Sequence, residues 1–290
     1  MFKTLYHYWK PLLTEFLASI GILMLIWELT EMFLPNCPDC FTSSAWFKII
    51  VGVLVIIISG LYAWYQIIRK PNCLEVKINK RTKLTIKLCD LMDSLGMKVI
   101  PVNEYFDTHN GDGIINPRSL HGQLINLFAD NISELRSQID TQLSSKDQLP
   151  QNRVRTMVEG LPNRRYPLGT CVRVRKGEQT YMLVALTRFN ANEHVEVATE
   201  EYPEVIRKMF NGIEQLNDGN PVYLPLIGSG ISGYQLTEMQ MLDTIVRCAH
   251  NADTLGVTNG ITLCLYDQDQ LEKLNLNVIR YLYRRYITLN

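Results

Sequence analysis

The chain has 290 residues, with 29 basic and 29 acidic side chains and therefore no formal net charge. This balance gives no general electrostatic reason to expect nucleic-acid binding. Hydrophobic residues make up 47% of the chain, but the long apolar runs and all 4 tryptophans lie in the first 70 residues. The composition therefore predicts two parts, an apolar segment at 1–70 and an ordinary globular domain at 72–290.

The first 70 residues predict a transmembrane hairpin with spans at about 12–34 and 46–68. The run Ile49–Ile68 has no charged residue, and as a helix it would be about 30 Å long, the thickness of a bilayer's hydrocarbon core. A signal peptide is an alternative for the first span, but no small-residue cleavage site follows it. The flanking basic residues predict that both termini are cytoplasmic.

Four polar residues of this segment have open interpretations. Glu28 and Glu31 share one helix face, which suits either a pore or oligomer interface, or a hydrated position among the headgroups. Cys37 and Cys40 are consistent with a metal or redox pair, with a local disulfide, or with two idle thiols. A two-helix hairpin is too small to enclose a pore alone, so we expect a homo-oligomer.

Strands and helices alternate through the second part, which predicts an α/β sandwich with a mixed sheet. In chain order, the pattern predicts strands at 74–78 and 84–88, a short helix at 90–95, a strand at 98–103, a helix from Ser119 that reaches Ile139, a hairpin at 171–175 and 181–189, a helix at 199–216, a strand at 222–227, a helix at 237–252, a strand at 261–266 and helical structure over 271–286. The polar stretch 144–166 reads as an exposed excursion. The scattered cysteines of this part predict buried thiols in a reducing compartment and not a disulfide framework: Cys73, Cys89, Cys171, Cys248 and Cys264.

Two glycine-bearing loops each follow a strand and precede a helix. They contain Gly111-Asp112-Gly113 and Gly228–Gly233. Small residues allow backbone N–H groups to approach an anion closely, and the following helix adds its positive end. Neither loop is a P-loop, because no Gly-Lys-Ser/Thr follows. The two loops predict a nucleotide or diphosphate site.

The residues resemble the macro-domain superfamily. The run Val222–Tyr234 is similar to the macro strand that ends in a small-residue loop, Cys89-Asp90-Leu91 to the macro Gly-Asp-Ile motif, and Val99–Asn103 to the next strand, which ends in Asn. The resemblance covers about residues 72–290 and implies a macro-like three-layer α/β/α sandwich with a mixed sheet.

With the two predicted spans and the block Asp112–Gln123, the chain looks most similar to the macro-domain effectors of type II Thoeris anti-phage systems. The resemblance implies a TIR-domain partner that makes an ADP-ribose derivative joined to histidine. It also implies a multi-pass protein of the bacterial inner membrane that senses this nucleotide and disrupts the membrane. Neither a cofactor nor a metal is expected.

The resemblance also implies roles for individual residues. Asp90 would accept a hydrogen bond from the adenine amino group, with Leu91 beside it. The distal ribose would be faced by Asn103, Gly111, Asp112, Gly113 and Ile114, and the diphosphate would be wrapped by Gly228, Ser229, Gly230, Ile231, Ser232 and Gly233. Asp90 also suits a helix N-cap, His121 either a ligand contact or a helix surface, and Tyr234 either stacking or packing beside the loop.

Catalysis is not expected from this pattern. Asn103-Glu104-Tyr105-Phe106 stands where catalytic macro domains have Asn-Ala-Ala-Asn, which favours a sensor over an enzyme. The alternatives are a membrane-tethered ADP-ribosyl hydrolase and a scaffold that binds no nucleotide.

Overall fold

A computed structural model describes residues 13, 16–28, 45–68, 72–109, 114–149, 163–190, 194–196, 199–230, 234–252 and 254–283. The chain divides into two compact units, Met1–Pro71 and Asn72–Asn290.

The first unit contains a helical stretch over residues 16–28 and helix α1, Ala45–Ile68. The side chains of α1 are described for residues 49–65, and many of its apolar side chains are exposed, among them Ile56 and Leu61. Counting only what the structure describes, the chain has no helix whose length and apolar character suffice to cross a membrane. The predicted transmembrane hairpin is therefore not supported, and the predicted multi-pass membrane location is contradicted. Glu28 is exposed, whereas Glu31, Cys37 and Cys40 lie outside the described residues.

The second unit is built on one mixed sheet. Its strands are β1 (Cys73–Lys77), β2 (Lys83–Leu88), β3 (Met97–Asn103), β4 (Cys171–Lys176), β5 (Gln179–Phe189), β6 (Val195–Glu196), β7 (Val222–Pro225) and β8 (Ile261–Leu265). Among the described residues their order is β1-β2-β8-β7-β3-β5-β4, and β6 pairs with β5. Neighbours from β2 to β5 run parallel, while β1 and β4 are antiparallel edge strands. The predicted α/β fold with a mixed sheet is confirmed.

Helices cover both faces of this sheet. They are α2 (Leu120–Leu127), α3 (Ile132–Leu143), α4 (Tyr202–Leu216), α5 (Glu238–His250), α6 (Gln268–Lys273) and α7 (Leu276–Leu282). Along β5 the side chains of Met182 and Val184 enter the core beneath α4 and α5, whereas Leu183 and Ala185 enter the core beneath α2 and α3. This alternation follows from the two-residue period of a strand. A strand buried on both faces needs apolar residues at nearly every position, as β5 has.

Two helices begin at the predicted N-cap residues, because the side chains of these residues bond to backbone N–H groups that have no partner within the helix. The Ser119 side chain accepts a hydrogen bond from the Gly122 N–H at the start of α2, and Thr237 forms a capping box with Gln240 at the start of α5. The expected N-cap at Thr199 is wrong, because residues 199–201 form a 3₁₀ turn and α4 begins after them.

Two helix predictions are wrong for local reasons. The expected helix at 90–95 is a turn, in which the Asp90 carboxylate accepts the Met92 N–H at 2.7 Å. The helix expected to run from Ser119 to Ile139 is two helices, because Asn131 caps a new one by accepting the Glu134 N–H. A side chain that bonds to a nearby N–H competes with continued helix.

Candidate functional site

A deep concave groove of the second unit lies where parallel strands end. A cavity of about 540 Å³ is lined by residues that follow or terminate β2, β8, β7, β3 and β5, and by residues 114–123 before and within α2. This volume lies within the range of small-molecule sites. The carboxyl ends of parallel strands are the usual binding edge of α/β sheets.

The strand order gives the arrangement along the cavity. Neighbouring strands are about 4.8 Å apart, and the order is β2-β8-β7-β3-β5. From Asp90 after β2, the Gly228 loop after β7 is therefore two strands away, or about 10 Å, and Asn103 at the end of β3 about 14 Å. Thr187 near the end of β5 is about 19 Å away by the same spacing. The site is an elongated groove, and its length suits an extended dinucleotide-sized ligand.

Asp90 lies at the β2 end of the groove and Leu91 beside it. One carboxylate oxygen accepts the Met92 N–H at 2.7 Å, and the Ser94 hydroxyl donates to the Asp90 carbonyl at 2.7 Å. The other carboxylate oxygen of this exposed side chain remains available to a ligand. The local turn and an acceptor role are thus compatible at this residue.

Gly228, Ser229 and Gly230 line the middle of the groove. Gly228 has φ of +90°, a left-handed conformation that favours glycine. A Cβ atom at this position would also lie 3.2 Å from the ring of Tyr234 and 3.3 Å from that of Tyr202. The Ser229 hydroxyl donates to the Leu226 carbonyl at 2.7 Å and accepts from the Gln270 side chain at 3.0 Å. Residues 231–233 lie outside the described residues.

Tyr234 packs beside the loop that contains Gly228. Its hydroxyl donates to the Leu186 carbonyl at 2.9 Å, and its ring meets the Tyr202 ring edge-on with centroids 5.0 Å apart. It is 7% exposed and does not line the groove. Packing beside the loop, and not stacking on a ligand, is the role that its contacts indicate. Burial raises the pKa of Tyr234 to about 12, so the hydroxyl stays protonated as a donor.

Asn103, Ile114 and His121 lie together at the β3 end. The Asn103 side chain donates to the Asp107 carboxylate at 3.0 Å and accepts the Tyr105 N–H at 3.1 Å. The ring N–H at Nε2 of His121 donates to the Asp107 carbonyl at 2.8 Å. Burial lowers the pKa of His121, so near neutral pH the ring is uncharged and Nδ1 is an acceptor. Gly111, Asp112 and Gly113 lie outside the described residues.

A buried ion pair connects segments of the chain next to the β3 end of the groove. The Glu104 carboxylate is fully buried and accepts two guanidinium N–H groups of Arg165, each at 3.0 Å. It also accepts the Phe189 N–H at 3.1 Å. Phe189 and Thr187 line the groove at the end of β5. The sequence analysis predicted neither residue. For Thr187 a signal was present, because it is a polar residue two positions before the end of a strand that is predicted to be buried.

Two cysteines at the β2 end are also unpredicted lining residues. Cys89 and Cys264 form a disulfide with a Cα–Cα distance of 5.0 Å across the neighbouring strands β2 and β8. The prediction of unpaired thiols is wrong for this pair. The two are 175 residues apart in sequence, and only strand pairing brings them into contact. In the described part of the chain, no cluster of His, Cys, Asp or Glu could hold a metal ion.

Comparison with known proteins identifies the family of the domain that contains this groove. The family described as "Thoeris protein ThsA, Macro domain" matches residues 84–266, which include the parallel strands of the sheet apart from Lys83, the first residue of β2. The chain belongs to this family. The expected macro-type α/β fold and the Thoeris relationship are therefore confirmed.

Relatives of this macro domain include a curated protein and solved structures. The Thoeris protein ThsA of Bacillus amyloliquefaciens (strain Y2) is 29% identical over 190 residues, which are 64% of this chain and 62% of that relative. The match thus spans less than two thirds of the relative's length. Two Oceanobacillus iheyensis macrodomain mutants, one of them with ADPR, cover 73% of this chain and 98–99% of their own, at 13–14% identity and TM-scores of 0.47 and 0.49. The macrodomain of Mycobacterium tuberculosis DarG covers 64% of this chain and 99% of its own, at 12% identity and a TM-score of 0.40.

Proposed function

We propose that the macro domain of this chain binds a nucleotide of the ADP-ribose type, and that the chain is the sensing component of an anti-phage defence system. The observation that carries this proposal is the groove across the carboxyl ends of five parallel strands, with Asp90 at one end, a small-residue loop in the middle and Asn103 towards the other end. Membership in the Thoeris ThsA macro family supports the biological setting.

The chemistry of the groove matches the parts of such a ligand in order. A carboxylate oxygen of Asp90 suits the exocyclic amine of adenine, because that amine donates and a carboxylate only accepts. The loop at 228–230 suits the diphosphate, because backbone N–H groups can approach an anion where no side chain intervenes. The side chain of Asn103, which is held by Asp107, suits the hydroxyls of the second ribose.

The finer identity of the signal rests on the family resemblance. We propose that the ligand is ADP-ribose joined to histidine, that a TIR-domain partner produces it, and that the responding form of this chain is a homo-oligomer. The Thoeris relationship supports the partner and the signal.

A sensor fits the groove better than a hydrolase. Among the described lining residues, the only carboxylate is Asp90, which by strand order is about 14 Å from Asn103. His121, a titratable lining residue at the same end of the groove as Asn103, uses Nε2 to bond the Asp107 carbonyl. General acid–base catalysis needs a titratable group within hydrogen-bond reach of the reacting atom.

Calorimetric titration of the full chain with ADP-ribose and with the histidine adduct tests the proposal. Asp90→Asn keeps an oxygen for the Met92 N–H but removes the second acceptor and the charge, so we expect affinity to fall by about 10- to 100-fold, the range for a hydrogen bond to a charged group. Asp93→Ala is the matched control, because Asp93 is exposed and does not line the groove.

Chromatography of the ligand after incubation completes the test. We expect ADP-ribose and its histidine adduct to be recovered intact. Absence of binding to the unmodified chain would refute the proposal, and cleaved product that disappears with Asn103→Ala would make the chain a hydrolase.

A further inference from the structure

The charges along the groove are few and lie far apart. Among the described lining residues, only Asp90 and Arg118 carry a formal charge, since His121 is buried with a pKa below its ordinary value. Asp90 lies after β2, whereas Arg118 precedes α2, the helix that contacts β3. The backbone of Arg118 is therefore on the β3 side of the groove, whereas Asp90 is at the β2 end.

The backbone of Arg118 is fixed while its side chain is not engaged. Its N–H donates to the Asn116 side chain at 2.8 Å, and its carbonyl accepts from the Gln123 side chain at 3.0 Å. In the same turn, the Ser119 hydroxyl donates to the Asn116 carbonyl at 2.7 Å. Within the described residues, no hydrogen bond or ion pair reaches the guanidinium. Arg165 and Arg188, by contrast, are paired with Glu104 and Glu201.

The turn that carries Arg118 is also anchored to the β3 end of the groove. Gly122 packs so closely on Asn116 that a Cβ atom would lie 2.3 Å from the Asn116 carbonyl oxygen. His121 ties the first turn of α2 to the Asp107 carbonyl after β3. These contacts hold the backbone of Arg118 on the side of the groove formed by α2 and β3, where we propose that the distal ribose binds.

We infer that Arg118 recognises a carboxylate on the group attached to the distal ribose, so that the groove selects an amino-acid adduct over ADP-ribose itself. This inference rests on the proposed function. A guanidinium fork on a fixed backbone can bind a planar carboxylate through two parallel N–H···O bonds. The rim position keeps the cation hydrated when the groove is empty, which avoids the cost of an unpaired buried charge.

Two adducts that differ only in the carboxylate give the sharpest test. Histidine-linked and histamine-linked ADP-ribose share the imidazole, both riboses and the diphosphate, and histamine lacks the carboxylate. We expect the unmodified full chain to bind the histidine adduct about 10- to 100-fold more tightly than the histamine adduct, the range for a charge-assisted pair. In Arg118→Ala the two adducts should bind equally, and the affinity for ADP-ribose should be unchanged.

Two further variants serve as controls. Arg118→Lys keeps the charge but not the fork, so it should retain only part of the discrimination. Arg136→Ala removes an exposed arginine of α3 that does not line the groove, and should retain all of it. Because the Arg118 side chain has no partner among the described residues, thermal unfolding of Arg118→Ala should match that of the unmodified chain.

The outcomes separate this inference from the proposed function. Equal losses for all three ligands in Arg118→Ala would mean that the guanidinium binds the diphosphate, and no loss for any would mean that it binds nothing. Either result overturns the carboxylate assignment while ADP-ribose binding by the unmodified chain stands. An unmodified chain that binds none of the three ligands would overturn the proposed function and this inference with it.

Discussion

The buried pair between Glu104 and Arg165 connects three segments around the distal end of the groove. Glu104 ends the β3 region, Arg165 belongs to the segment before β4, and the Phe189 N–H that also donates to Glu104 ends β5. The Glu104 side chain is 0% exposed and that of Arg165 is 18% exposed. We predict that removing Arg165 destabilises the macro domain far more than removing an exposed arginine with the same type of partner.

The magnitude follows from what each substitution leaves behind. Arg165→Met leaves a carboxylate buried with one neutral donor, and breaking a buried pair in this way costs about 3–5 kcal/mol. Partial exposure of the arginine places the expected value near the lower end, at about 3 kcal/mol. Adding Glu104→Leu removes the stranded charge and leaves only the Phe189 N–H without its partner, at about 1–3 kcal/mol. The double variant should therefore be no less stable than Arg165→Met alone.

Guanidinium chloride unfolding of the full chain measures these differences as midpoint shifts at an unchanged slope. The matched control is Arg207→Met, because Arg207 makes two bonds to Glu204, at 2.8 and 2.7 Å, while the two side chains are 57% and 49% exposed. An exposed pair is solvated in both states, so we expect no resolvable midpoint shift for this control.

Two results would refute this reasoning. If Arg165→Met shifts the midpoint no more than Arg207→Met does, burial does not govern the strength of the pair. If the double variant is less stable than Arg165→Met by the full cost of Glu104→Leu measured alone, the two side chains are not coupled.

Three further predictions concern the groove. Gly228→Ala should cost about 1–2 kcal/mol, because an L residue resists φ of +90°. Gly230→Ala should leave the unfolding midpoint unchanged, because no atom of the described residues lies within 4 Å of the added Cβ. Equal midpoints for the two variants would contradict the loop geometry. Burial lowers the pKa of His121, so below pH of about 6.5 the unfolded chain binds a proton that the folded chain does not, and stability should fall by at most about 1.4 kcal/mol per pH unit. His121→Gln should lack this contribution when thermal unfolding is compared at pH 7.5 and 5.5. The same pH dependence in both proteins would contradict this prediction. Reduction of the Cys89–Cys264 disulfide should lower stability by up to about 5 kcal/mol, because the bond closes a loop of 175 residues in the unfolded chain. Cys264→Ser should unfold identically with and without reductant. If reductant does not change the unfolding of the unmodified chain either, the disulfide is not formed.

Much of the fold could be predicted because its signals are local. The strands at Met97–Asn103 and Gln179–Phe189 are apolar runs whose length and residue types indicate burial on both faces. Ser119 and Thr237 mark helix starts through side chains that reach the third N–H beyond them. The errors are local too: at Asp90 and Asn131 a side chain bonds to a nearby N–H and ends or replaces the predicted helix.

The candidate site was only partly predictable. The glycine loop pointed to Gly228, and the macro-domain resemblance pointed to Asp90 and Asn103. All three line one groove, and their roles in binding stay predictions. Arg118 and Phe189 carry no motif, since their importance depends on which strands and helices become neighbours. The apolar N-terminal segment shows the limit of composition as a guide, because the predicted membrane location is contradicted for the residues described.

By itself, the sequence determined the alternation of strands and helices, the helix starts at Ser119 and Thr237, and the glycine positions of the loop after β7, because each depends on residues within one turn or one strand of each other. Only the tertiary structure decided that β8 and β7 lie between β2 and β3 and thereby set the length of the groove. It also decided the pairing of Cys89 with Cys264 and the burial of Glu104 against Arg165. These contacts join residues 175 and 61 positions apart, and the closing of such long loops is determined by the packing of the whole sheet and by no local pattern.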